Sequence, residues 1–243
     1  MADQKDNPTQ KPRRFYTTAV AVAHDDGFGV ALDSRLVKTP AGDRMVVPKL
    51  ALAGLLAAEW QAQSDVIDMA AMPVNRLAFT ALDRAGTAHA DLADEVARYA
   101  AFDMLCYFAG APAALVEREV AHWGPVITWA QDTLGVTFAR AKGIVHEPQP
   151  VETLERIRAL AAELDAFALT GLTFAAGLFG SAILGFAVER GMLSGDAAFE
   201  LSRLDEAYQE EHWGHDDEAA ERTANHRRDA EMVEQWFAAL RLP

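Results

Sequence analysis

The spacing of apolar residues changes near Pro48. Between Arg14 and Pro48 they come in short β-branched and aromatic runs separated by turn signals. Phe15–Val22 is the first run, Asp25-Asp26-Gly27 a turn, Gly29–Leu32 the second run and Asp33-Ser34 the next turn. Arg35–Thr39 and Met45–Val47 follow, on either side of Pro40-Ala41-Gly42-Asp43. Short runs joined by tight turns predict a small antiparallel β meander over residues 14–48.

Beyond Pro48 the period becomes helical. Leu52, Leu55, Leu56 and Trp60 fall at i, i+3, i+4 and i+8, one stripe of a helix. Met72-Pro73 opens a second helix that ends near Gly86, and Leu92, Val96 and Tyr99 extend a third after a Thr87 cap. A helix beginning at Ala111-Pro112 is expected to break at Gly124-Pro125 and resume to Leu134. Val136–Val145 reads as β, a hairpin near 136–146 returning to the sheet. Pro150 starts a helix through Leu154, Ile157, Ala161 and Leu164. Ser194 caps one carrying Leu201, Leu204 and Tyr208, and a last helix groups Ala230, Val233, Phe237 and Leu240. The predicted class is α+β: a small N-terminal antiparallel β meander (14–48) beside a larger all-helical body (49–243).

Ala166–Val188 carries no charge and is long enough to span a bilayer. Thr170, Thr173, Ser181 and four glycines interrupt it, no basic cluster flanks it, and mean hydropathy is −0.03. It reads as a central core helix, or as two broken near Gly177–Gly180, with no membrane insertion. Residues 1–13 read as a disordered arm, because Asp3 and Asp6 suit neither a secretory signal nor an acid-poor transit peptide; a bacterial cytoplasm is the expected compartment.

A net charge of −14 disfavours nucleic acid and anionic lipid as partners. The single cysteine, Cys106, excludes an internal disulfide and reads as a small buried residue. Gly27-Phe28-Gly29 lacks the third glycine of a dinucleotide fingerprint, and neither a phosphate loop nor a nucleophile elbow is present. No catalytic residue and no cofactor is therefore assigned. His212, His215 and Asp216 contain metal-ligand types and support an alternative, a metal-dependent hydrolase, although Gly214 separates the two imidazoles. Glu206, Glu210 and Glu211 are either an acid–base set or a hydrated helix face.

Charge gathers toward the C-terminus. Between Asp196 and Glu234 lie thirteen acids and four arginines, and the same C-terminal region carries Tyr208, Trp213 and Trp236. Aromatic anchors among carboxylates make a protein-binding surface, or else the aromatics are core and the acids only solubilise.

Seven motifs then occur in order across about 180 residues: Leu32–Pro40 with Val46-Val47-Pro48, Ala58–Gln63, Met72–Ala78, Asp103–Tyr107, Trp123-Gly124-Pro125, Gly180-Ser181, and Leu204–Gln209 with Trp213-Gly214. Together they resemble the family of assembly chaperones for the F(1) sector of the F-type ATP synthase. The resemblance implies a non-enzymatic holder of the unassembled α subunit that shields its β-subunit interface without ATP; a holder of this kind can work as a monomer. It also implies a partner-binding site with a critical carboxylate, Glu206 or else Asp205 or Glu211, and Gln209 and Trp213 beside it. Trp213 with Gly214 alternatively makes a packed helix end. Trp60 reads as core, Asn75 and Arg76 as a buried polar pair or part of a groove, and Lys38-Thr39-Pro40 as a turn or a contact. His212 and Phe79 depart from the family pattern.

Overall fold

The structure, a computed structural model, describes residues 11–143, 147–214 and 217–242, and the side chains of all of these except 85–87 and 217–220. It forms two compact units, one running to Asp83 and the other spanning Arg84–Arg241.

In the first unit β1 (Ala19–His24) and β2 (Gly27–Leu32) form an antiparallel hairpin around Asp25-Asp26. The meander then departs from four strands side by side. β3 (Arg35–Leu36) pairs with the end of β2 and β4 (Val46–Val47) with its beginning, so both lie along the same side of β2. The residues between them leave the sheet as a narrow excursion closed by a Lys38–Arg44 bridge. Lys38-Thr39-Pro40 is thus a turn; the Thr39 N–H donates to Asp43 O at 2.8 Å. Asp33 sits at φ 53, and its carboxylate accepts from the Thr17 and Thr18 N–H groups. Those bonds hold its carboxyl below the usual range.

α1 (Leu50–Gln61) closes the core face of this sheet, burying Leu52, Leu56 and Trp60 with Val30, Leu32 and Val47. α2 (Pro73–Asp83) follows a turn of 3-10 helix at Met69–Ala71. The change of period at Pro48 is therefore not the unit boundary, because the sheet needs α1 to cover its apolar side. Residues 1–10 of the expected arm lie outside the described residues. Its end is held: Lys11 Nζ meets Asp68 Oδ2 at 2.6 Å and Arg13 bridges to Val66.

The second unit contains α3 (Ala85–Ala101), β5 (Tyr107–Phe108), α4 (Ala113–Leu134), β6 (Ala141–Lys142), α5 (Val151–Ala162), α6 (Ala166–Phe179), α7 (Ala182–Glu189), α8 (Gly195–Ser202), α9 (Leu204–Trp213) and α10 (Asp217–Arg241). The uncharged segment is two helices, α6 and α7, divided by Gly180 in the left-handed region and Ser181, whose hydroxyl accepts from Leu184 N at 3.0 Å. All of Ala182–Val188 is buried, with α3, α4, α6, α8 and α10 around it. The segment's threonines bond their own helix, Thr170 Oγ1 donating to Ala166 O and Thr173 Oγ1 to Leu169 O, so they cost little when buried. Among the described residues no helix is long and apolar enough to cross a membrane.

Three local expectations are corrected. α4 runs unbroken through Pro125, because buried Trp123, Val126 and Ile127 hold the helix where the ring removes one backbone bond. In place of a hairpin near 136–146, β6 makes a two-residue parallel pair with β5, and Ala139 exchanges hydrogen bonds with the Gln149 amide; Ile144–His146 lie outside the described residues. The helix capped by Ser194 ends at Ser202, and Leu204 and Tyr208 belong to α9. α3 begins at Ala85 and is kinked at Ala88; the Thr87 side chain expected as a cap lies outside the described side chains.

Candidate functional site

The sequence motifs meet in pairs, and most of them build structure. Glu59 accepts from Val74 N and Asn75 N, both at 2.9 Å, and so caps α2 with a carboxylate from α1. Fully buried Asn75 receives the Trp60 indole N–H at 2.8 Å and donates to Glu59 Oε2 and Leu56 O. Trp60 is core, and Asn75 is the buried half of the expected pair; Arg76 is exposed.

Asp103 joins two further motifs. Completely buried, it accepts from Leu105 N and, from 80 residues away, Ile183 N at 3.0 Å, while Met104 N donates to Gly180 O. Burial pushes its carboxyl up to about 6 against those hydrogen bonds. Cys106 beside it is buried, its thiol pushed up by burial and by Asp103, which suits a packing role.

α9 carries every residue assigned to partner binding. At 3.6 residues per turn Glu206, Gln209 and Trp213 share one face, and all three are exposed, Trp213 to 82%. The packed-helix-end reading of Trp213 is thereby overturned. The opposite face holds the helix to its unit through buried Leu204, half-buried Tyr208 and the exposed but ion-paired Glu211. Arg118 Nη1 on α4 reaches both Glu211 oxygens at 2.8 Å, and Arg203 meets Glu210 at 2.6 Å. Glu211 is therefore engaged in holding α9.

Asp205 also turns inward, against Glu119 of α4. Glu119 is wholly buried and accepts from Ala109 N at 2.8 Å. Burial first, with the Asp205 carboxyl adding to it, pushes Glu119 up to about 7. The two acids can hydrogen-bond only when one of them keeps a proton. Glu119 escaped the sequence reading, although its signal was present: with Leu115 and Trp123 it completes an i, i+4, i+8 row, placing a carboxylate at a core position.

Among the described residues the metal alternative finds no geometry. His212 stacks on Tyr208 with ring centroids 4.3 Å apart, and its Nδ1 lies 2.7 Å from Tyr208 O. His215 and Asp216 lie outside the described residues, and among the described residues no three His, Cys, Asp or Glu side chains are grouped to hold a metal.

The family described as ATP12 chaperone protein matches residues 13–131. The chain is 26% identical over 229 residues to the mitochondrial protein atp12 of Schizosaccharomyces pombe, covering 88% of this chain and 79% of that one. Among solved structures, Atp12 from Paracoccus denitrificans superposes with a TM-score of 0.88 at 36% identity, over 95% of this chain and 99% of that one. A protein of Agrobacterium tumefaciens gives the same TM-score and identity, over 95% of this chain and 87% of its own.

Proposed function

This chain belongs to the ATP12 chaperone family, and we propose that it is an assembly chaperone for the F(1) sector of the F-type ATP synthase, holding the unassembled α subunit. It covers the α surface destined for the β subunit, hydrolyses no ATP and works as a monomer in a bacterial cytoplasm. The observation that carries this reading is the exposed row Glu206, Gln209 and Trp213 on a helix whose other face is tied down. An exposed tryptophan supplies area for an anchor, and the carboxylate beside it selects a cationic neighbour. Asp205 and Glu211 serve the same site at one remove, by setting the pose of α9.

The reading is tested by suppression of light scattering from purified, urea-diluted α subunit without nucleotide. Wild-type protein should suppress it near equimolar ratio. Glu206→Lys and Trp213→Ala should each require about tenfold more protein while melting like wild type, since both side chains are solvated in the free chain. Full activity of both variants would remove α9 from the client site. Failure of the wild-type chain would remove the α subunit as client.

A further inference from the structure

β1 is the outer strand of its sheet, and the ladder on its inner side sets the phase of its backbone. Asp33 N donates to Thr18 O at 2.9 Å, and the register pairs Val20 with Ala31 and Val22 with Gly29. In an antiparallel ladder this turns the N–H and C=O groups of Val20 and Val22 inward and those of Ala19, Ala21 and Ala23 outward. Gln61 Oε1 occupies the Ala19 N–H at 2.7 Å. The outward groups of Ala21 and Ala23 have no hydrogen-bond partner among the described residues.

Soluble proteins blunt such an edge with lysine, proline, a bulge or a very short strand. β1 reads Ala-Val-Ala-Val-Ala-His over six residues and uses none of these. The outer face of the sheet continues the apolar character: Val20 is 48% exposed and Leu36 39% exposed, at the two ends of one cross-strand row through Ala31. Charge is balanced here as well. Residues 1–83 hold nine Lys and Arg against ten Asp and Glu, whereas the rest of the chain holds 13 against 26. A strand of either sign would lose the hydration of its charges without gaining a net counter-charge from these residues, a cost that an uncharged strand avoids.

We propose that the β1 edge is a docking site for an extended, uncharged stretch of a partner polypeptide with β-branched residues at alternate positions. The stretch adds as a further strand on the Ala21 and Ala23 backbone groups and packs its apolar side chains beside Val20. This rests on the chaperone reading, because a protein awaiting assembly is what presents such a stretch, and it gives the chain a second point of hold besides α9.

The test uses the full chain and two probes, the urea-diluted α subunit and a fluorescein-labelled Thr-Val-Thr-Val-Thr-Val peptide. Ala21→Pro and Ala23→Pro each delete an outward N–H and leave the ladder to β2 intact; if their melting shows a damaged fold, Val20→Lys places a charge on the same row with the backbone unaltered. Peptide binding and client suppression should both weaken about tenfold in the variants, and amide exchange at Ala21 and Ala23 should slow with either probe. Wild-type suppression that the variants retain, with unchanged exchange at these amides, would overturn the edge and leave the chaperone reading standing. Peptide binding at the edge without client suppression would retain the edge and overturn the α-subunit reading. A dimer that Ala23→Pro dissolves, seen by sedimentation together with absent peptide binding, would replace the partner by a second copy of this chain.

Discussion

Glu59, Trp60 and Asn75 come from two motifs fifteen residues apart and form one closed hydrogen-bond cluster. Asn75→Ala leaves the Trp60 indole N–H unpaired and takes a donor from a carboxylate that burial already pushes up. Such losses cost about 3 kcal/mol. Urea unfolding should read it, and a variant as stable as wild type would show that water replaces the amide. Glu119 offers a second residue-scale expectation. An acid that titrates higher when folded, here up to about 7 from an ordinary 4.5, binds its proton better in the folded state. Its contribution is then full below about pH 4.5 and disappears as pH rises to about 7. Glu119→Gln keeps the neutral shape at every pH. It should flatten this part of the stability profile and exceed wild type by about 1–3 kcal/mol at about pH 8. The decline that persists in the variant belongs to Asp103, raised from 3.8 to about 6, and to Glu59 and Glu189, which burial also pushes up. An unchanged profile would exclude Glu119 as a titrating group.

At the scale of elements, close backbone approach separates glycines that look alike in sequence. A Cβ on Gly195, the first residue of α8, would lie 2.0 Å from the Ala230 carbonyl oxygen of α10, and neither backbone has room to yield. Gly195→Ala should therefore separate α8 from α10 at a cost of about 3 kcal/mol. Gly54, inside α1, has open space around its missing Cβ, so Gly54→Ala should instead gain about 0.5–1 kcal/mol from helix propensity. Thermal melts of the two variants on opposite sides of wild type would establish the contrast; shifts of the same sign would refute it. The break between α6 and α7 follows a different rule. Gly180 takes φ 63 and Ser181 caps the next helix, so this turn is written locally.

For the whole molecule the decisive quantity is where the charge lies. The part beyond Asp83 carries nearly all of the net −14, and α9 projects Glu206 from within it. Encounter with a cationic client surface should be accelerated by that field. Raising salt from about 50 to about 300 mM should slow association of the α subunit several-fold, with a smaller change in dissociation. Stopped-flow tryptophan fluorescence, with Trp213→Phe as the control that isolates its share of the signal, would measure both rates, and a salt-independent association rate would confine the acids to solubility.

By itself the sequence determined the α+β class, the strand-to-helix change near Pro48, the Ser194 cap and the family motifs, because turn residues and periodicities of two or 3.6 act over a few neighbours. Tertiary structure alone decided that α1 belongs with the sheet, that α4 passes through Pro125 and that residues near 141 pair with β5. It likewise divided the predicted site, leaving Glu206, Gln209 and Trp213 in solvent while Asp205 and Glu211 turn to α4. Those outcomes depend on partners such as Arg118, 93 residues before Glu211. A carboxylate has the same local signature whether its neighbour is water, an arginine or another acid; only the packed chain supplies the neighbour, and with it the energy that distinguishes them.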